Sequence, residues 1–205
     1  MSKAILILTG LIFMVVLFSC KDDSTADVVP QAIQNYQYNE GTTNLEWTAY
    51  KTSSKLPVKG GFNEISVIAE SSNDPKEVIE SLTFTINTAS VETNNEDRNG
   101  KIAKHFFETI NTPTIEGKFK SLENDNSATI EVTMNGIAFD VVGTYTLEGP
   151  DFSFESIVDV SSWNGVPGIT ALNEVCSDLH IEKDGTSLLW TEVKLSFNTK
   201  LKIVL

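Results

Sequence analysis

An all-β fold, an antiparallel barrel or sandwich, is what this sequence predicts. Three observations carry it. Apolar and polar residues alternate at period two through most of the chain, an Asn-Gly pair punctuates one such run, and only two short segments have helical spacing. In chain order, the first strand candidates are "NLEWTAYK" and "GFNEISVI". "LTFTINT" sets Leu82, Phe84 and Ile86 on one face, with Thr83, Thr85 and Asn87 on the other. "ATIEVTMNGIAFDVV" reads as two strands around Asn135-Gly136, because both turn residues tolerate the positive φ that a tight hairpin requires. "DFSFESIVDV" continues the alternation through Phe152, Phe154, Ser156, Val158 and Val160. "VKLSFNTKLKIVL" sets Val193, Leu195, Phe197, Leu201, Ile203 and Leu205 against a lysine-rich outer face. Seven or eight strands, each apolar on one side, need those sides covered, and a barrel or sandwich does so.

The helical exceptions are "ITALNEVCSDLH", residues 169–180, and the stretch "NNEDRNGKIAKHFF", residues 94–107. The first spaces Ile169, Leu172, Val175, Cys176 and Leu179 as one stripe, with Thr170 expected to cap its start. The second spaces Ile102, Phe106 and Ile110 by four residues, although Gly100 weakens a helix there.

Residues 1–19 read as a signal peptide. Lys3 precedes the apolar run Ala4–Phe18, whose fifteen residues would reach about 22 Å as a helix, short of a hydrocarbon core of ~30 Å. The run ends in "LFSC", which resembles a bacterial lipobox with Leu17, the small Ser19 and Cys20 as the lipidated mature N-terminus. An ordinary secretory signal is the alternative. Two or more acyl chains anchor durably where one does not. Residues 20–35 then form a polar tether, and Lys21-Asp22-Asp23 resembles the signal that sends some lipoproteins to the outer face of the outer membrane. The expected location is therefore the bacterial cell envelope, lipid-anchored in the outer membrane. Residues 36–205 make one globular domain.

Removing residues 1–19 takes away Lys3 and no acid, so the formal charge moves from −13 to −14. Such a chain is repelled by phosphate backbones, which argues against nucleic acid as a partner. With Cys20 acylated, Cys176 is left alone, so packing and not an intrachain disulfide has to stabilise the domain.

Three chemical readings of the polar residues compete with plain structure. Asp97, Arg98, His105 and Glu108 could form an acid/base set, but nothing in the sequence orients them, and a solvated helix face accounts for them better. Cys176, Asp178 and His180 are possible zinc donors, but helical spacing sends Cys176 into the apolar stripe and Asp178 elsewhere; Cys176 and His180 stay four apart with no clear third ligand. No Gly-x-Ser-x-Gly element supports a serine nucleophile. No cofactor, metal or catalytic residue is expected.

The stretch "SVETNNEDRNGKIAKHFFETINTPTIEGKFKS" resembles the signature of YceI-like domains, lipid- or polyisoprenoid-binding proteins of the bacterial envelope. Ser90, Thr93, Arg98, Ile102, Phe106, Phe107, Pro113 and Ile115 match it in order. Asn99 stands where that pattern has Asp, Lys101 where it has His, Thr112 where an aromatic precedes the Pro, and Gly117 where it has Phe. An upstream element matches at Val58, Gly60 and Phe62, and a later one at Val132, Thr133, Gly136, Ile137 and Val141. Residues 162–192 depart from the usual ending of such domains.

The resemblance implies a lipocalin-like antiparallel β-barrel with one or two short helices and an elongated apolar interior that holds an isoprenoid or other amphiphilic lipid without catalysis. A barrel with a filled core, serving as a surface interaction or adhesion module, is the alternative. By pattern and size, the expected ligand-binding wall is Trp47, Phe62, Phe84, Ile86, Phe106, Phe107, Met134, Phe139, Phe152 and Phe154. In a hollow barrel the inner face is both core and pocket. The three tryptophans, Trp47, Trp163 and Trp190, fit packing and ligand platform alike.

Overall fold

Period-two alternation becomes twelve strands in the computed structural model, which describes residues 34–181 and 185–205. Residues 1–33, and with them Cys20 and nearly all of the tether, lie outside the described residues. The strands are β1 (Asn35–Gln37), β2 (Asn44–Lys51), β3 (Leu56–Phe62), β4 (Ile65–Ile68), β5 (Thr83–Asn87) and β6 (Val91–Glu92). They continue as β7 (Thr114–Leu122), β8 (Ser127–Met134), β9 (Ile137–Glu148), β10 (Asp151–Asp159), β11 (Leu189–Lys200) and β12 (Lys202–Val204). Ten of them form one antiparallel sheet in the order β4-β5-β7-β8-β9-β10-β11-β2-β3-β6, curled into a half-barrel, while β1 pairs with β12 outside it. Twist accumulated across so many strands curls the sheet until its apolar face encloses an interior. The chain runs from β3 near one end of that sheet straight into β4 at the other, through Asn63 and Glu64.

The β8–β9 hairpin turns at Asn135 and Gly136, with φ of 51° and 69°. Along β8, Ala128, Ile130, Val132 and Met134 face inward, and Glu131 on the outer face pairs with Lys118 at 2.9 Å. The C-terminal run departs from the sequence expectation. β11 stops at Lys200, and the buried Leu201 donates its N–H to Pro150 O at 2.8 Å. β12 then leaves the sheet for β1, so Ile203 and Leu205 are exposed (42% and 86%) instead of continuing the inner face. Alternation persists through the change of partner, and period alone does not register it.

Short helical segments close the two ends. Helix α1 (Pro75–Glu80) begins with Asp74 accepting from Lys76 N at 2.8 Å and buries Val78 and Ile79 completely. Six residues are too few to establish a period, so alternation-based reading does not anticipate it. Helix α2 (Glu96–Ile102) starts at Asn95, whose side chain accepts from Arg98 N, and passes into a π-helical turn, Ala103–Glu108. Helix α3 (Val166–Val175) starts at Gly165 with Pro167 in its first turn. Thr170 is therefore inside α3, and its hydroxyl donates back to Val166 O at 3.1 Å instead of capping the helix. The chain breaks at Cys176 before α4 (Ser177–His180). The break ends the apolar stripe expected for residues 169–180: Cys176 is buried, but Val175 and Leu179 are exposed.

α1 directly precedes β5, and the π turn directly precedes β7. Because β5 and β7 are antiparallel neighbours, with Thr83 opposite Lys118 and Asn87 opposite Thr114, the two helical segments lie at opposite ends of the half-barrel. The α1 end is the more tightly packed. Phe119 meets Phe152 and Phe154 edge-on at 5.6 and 5.9 Å, and Tyr145 stacks on Phe152 at 6.0 Å. The end under α2, the π turn and α3 is where space remains.

Candidate functional site: an apolar hollow under the helical cap

The hollow exists because the sheet curls more widely than its inward side chains can fill. Leu45, Trp47 and Ala49 on β2 and Val193 and Leu195 on β11 face the interior yet are only half-buried, since void and not a neighbouring side chain lies against them. Its volume is about 210 Å³. One water needs only about 10–15 Å³, so this is far beyond a packing defect. A smaller cavity of about 70 Å³ lies toward the packed end, bounded by Phe119, Phe154 and Phe197.

The roof comes from the stretch with Ile102, Phe106 and Phe107, crossed by Ile169 and Leu172 of α3. A π turn takes more residues per turn than an α-helix, so successive residues are separated by a smaller rotation. Phe106 and Phe107 thus both point inward, their rings 5.0 Å apart and edge-to-face, and both are buried. Gly168 lets α3 cross this turn closely: a Cβ there would stand 2.7 Å from the Phe106 ring and 2.9 Å from Phe106 O.

Beneath the roof every lining side chain of the larger hollow is apolar. The three indole N–H groups, the only donors that could soften this, all donate to backbone carbonyls: Trp47 to Gly61 at 3.3 Å, Trp163 to Val132 at 3.0 Å, and Trp190 to Thr52 at 2.8 Å. The smaller cavity adds Thr43, whose hydroxyl is already hydrogen-bonded to Thr199 Oγ1 at 2.9 Å. Such a lining can solvate hydrocarbon and can supply no proton, nucleophile or charge.

Seven of the ten side chains expected at a binding wall meet around the larger hollow: Trp47, Phe62, Phe84, Ile86, Phe106, Phe107 and Met134. Phe154 lines the smaller cavity. Phe152 lines neither; it is 3% exposed inside the aromatic packing of the packed end. Phe139 also lines neither; it stands opposite Val132, is 47% exposed, and lies edge-on to Trp163 at 5.5 Å. Alternation assigns a face but not a height along the barrel axis, and Phe152 stands at the far end from the hollow; Phe139 shares face and register with Val132, which lines the hollow, but lies against Trp163 and is half open to solvent. The expected wall leaves out Ala49, Val193 and Leu195, which line the hollow; Trp163 and Trp190, which the sequence leaves open between packing and ligand platform, line it as well. The β11 alternation was the available signal for Val193 and Leu195.

The charged stretch above the roof is used structurally. Lys101 pairs with Asp97 at 2.7 Å. Arg98 donates through Nε to Thr93 Oγ1 and through Nη2 to Thr93 O, both at 2.9 Å. Asn99 Oδ1 accepts from Thr93 N at 2.9 Å and Thr93 Oγ1 at 2.6 Å. These bonds tie α2 to β6 and hold the roof in place. Asn99 accepts as a carboxylate would, while its side chain also hydrogen-bonds Glu92 and holds that carboxyl below its ordinary range. A second carboxylate would repel Glu92, which gives a physical reason for Asn at this position. Asp97 and Arg98 are thus committed elsewhere and do not assemble with His105 and Glu108 into an acid/base set. Cys176 is buried and its thiol is pushed up by that burial, with Lys101 pulling the other way. The His180 side chain lies outside the described residues, and the paired site with Cys176 with it. Among the described residues, no three His, Cys, Asp or Glu side chains are disposed to hold a metal ion.

A sequence profile described as YceI-like domain matches residues 36–201. Among solved structures, a polyisoprenoid binding domain from Saccharophagus degradans, implicated in plant cell wall breakdown, superposes with a TM-score of 0.55 at 13% identity, covering 84% of this chain and 99% of that one. BcnA from Burkholderia cenocepacia superposes with a TM-score of 0.54 at 18% identity, covering 82% of this chain and 100% of that one. At these identities the likeness is one of fold. No curated protein matches this chain in sequence.

Proposed function

This chain belongs to the YceI-like domain family, and from that premise we propose that it binds the hydrocarbon tail of an isoprenoid or another amphiphilic lipid in its apolar hollow, without catalysis. The observation that carries the reading is the lining: apolar side chains throughout, with all three indole N–H groups already bonded to backbone. A polar head buried there without a partner would cost several kcal/mol, on the order of 2–7. The tail therefore goes in and the head stays outside. Burial of ten carbons contributes roughly 8 kcal/mol gross at ~0.8 kcal/mol per methylene. Micromolar binding corresponds to about 8.2 kcal/mol, so a tail of about fifteen carbons or more reaches it once an association cost of at least about 4 kcal/mol is subtracted. The fold neighbour from Saccharophagus degradans, described as polyisoprenoid binding, supports this ligand class by analogy.

Organic extraction of the purified protein followed by mass spectrometry should yield a stoichiometric lipid with a long hydrocarbon tail. If none co-purifies, and the protein also takes up no alkyl probe, the reading fails in favour of a surface interaction module.

The proposal includes where the barrel works: lipidated at Cys20, held by residues 20–35 at the outer membrane of the bacterial envelope. It rests on the apolar run, the "LFSC" element and Lys21-Asp22-Asp23. Cys20→Ala should abolish palmitate labelling and release the protein from membranes; membrane association that survives the substitution would refute the anchor.

A further inference from the structure

The larger hollow and the smaller cavity share five lining residues, Leu45, Phe84, Val132, Val141 and Leu195. Residues bounding both spaces form a neck between them, so the smaller cavity continues the hollow toward the packed end. Four members of the neck are aliphatic. The fifth, Phe84, is the only aromatic, and the backbone beside it sets its position.

Phe84 is the register partner of Gly117 on β7. A Cβ on residue 117 would stand 2.2 Å from Phe84 Cζ and 2.6 Å from Cε1, so the ring lies on the bare backbone of the neighbouring strand. Trp47 rests the same way on Gly60, its own register partner, where a Cβ would be 2.3 Å from Cζ2. Phe154 lies against Gly143, where a Cβ would be 2.6 Å from the ring. Glycine inside a strand weakens it and marks close approach. Here the approach is by an aromatic ring of the cavity wall in all three cases. Each ring laid on a glycine presents its surface to the interior while taking little of its volume.

Resting on the hydrocarbon-binding reading above, we infer that the smaller cavity is the subsite for the terminal carbons of the bound chain, and that the Phe84–Gly117 pair gauges chain length. A tail threads past Phe84 and ends against Phe119, Phe154 and Phe197. At about 70 Å³, and with one water needing about 10–15 Å³, the subsite holds on the order of five carbon-sized groups, one isoprene unit. An alanine at 117 would push the ring off the strand and into the neck, whereas loss of the ring would widen the passage.

The test uses the full chain and three prenols of ten, fifteen and twenty carbons (geraniol, farnesol and geranylgeraniol), read by displacement of the fluorescent probe N-phenyl-1-naphthylamine. In Gly117→Ala the preference for the twenty-carbon over the fifteen-carbon prenol should fall about tenfold. In Phe84→Ala it should rise about tenfold, and the double variant should match Phe84→Ala, because the alanine at 117 then has no ring to displace. Phe84→Leu, which keeps an apolar side chain, should shift the preference in the same direction by less and serves if the alanine variant does not fold. An unchanged chain-length preference in folded variants that bind prenols overturns the gauge and leaves the hydrocarbon reading standing. Probe uptake that no prenol displaces overturns the gauge, and failure of the folded wild-type chain to take up either the probe or any prenol overturns both.

Discussion

Ala49→Trp should reduce hydrocarbon binding about a hundredfold or more while changing stability by less than about 1 kcal/mol. Ala49 sits on β2 between Val58 and Val193, and its methyl borders the larger hollow. Adding bulk to a filled core typically costs 1–3 kcal/mol, because packed neighbours must move. Here the indole would enter existing space of about 210 Å³, so that strain is avoided. Binding has no such escape. Displacing even four methylenes at ~0.8 kcal/mol each removes about 3 kcal/mol, more than a hundredfold in affinity. Probe binding measured alongside thermal melts separates the two quantities. Full affinity in a folded Ala49→Trp protein would mean that the ligand sits elsewhere.

Trp163→Ala should act on stability first, by about 3–5 kcal/mol, the range for truncating a buried aromatic. Trp163 is 2% exposed, donates through Nε1 to Val132 O, and accepts at its own carbonyl from Asn135 Nδ2 at 3.0 Å. The side chain thereby ties the segment after β10 to β8, the backbone carbonyl ties it to the β8–β9 turn, and the ring closes one side of the hollow. Trp163→Phe keeps most of the packing and loses the N–H bond to Val132, for which about 1–3 kcal/mol is expected. For a domain of this size each kcal/mol corresponds to roughly 2–4 °C in Tm. Urea denaturation of the two variants gives the comparison. A loss below about 1 kcal/mol for Trp163→Ala would show that the ring is a loose lid and not a structural tie.

These two positions illustrate what was legible beforehand. Trp163 was visible as a large aromatic, but its burial depends on a short 3-10 turn, Val160–Trp163, that no period announces. Ala49 was hidden by its size: a small residue on an inward face is evidence of space only when one knows that nothing opposite fills it. Phe139 and Phe152 fail in the opposite sense: both have the size and the face, but Phe152 is packed at the far end from the hollow and Phe139 lies against Trp163 and not on the hollow. Alternation makes Leu201 one step in a continuous run, although the chain changes sheets there. Helical spacing buries Cys176, as the structure does, but the chain breaks the helix at that residue.

By itself, the sequence determined the strand alternation, the β8–β9 turn at Asn135-Gly136, the apolar character of the inner face, and the ordered landmarks from Ser90 to Ile115 that mark the family. These are local properties, set by period, by φ preference and by residue order. Only the tertiary structure decided that the inner face is hollow at one end and nearly filled at the other, and that three aromatic rings lie on glycines of adjacent strands. Whether a side chain fills an interior depends on the curl of the whole sheet and on what stands across from it, and for Phe84 that neighbour is Gly117, thirty-three residues away.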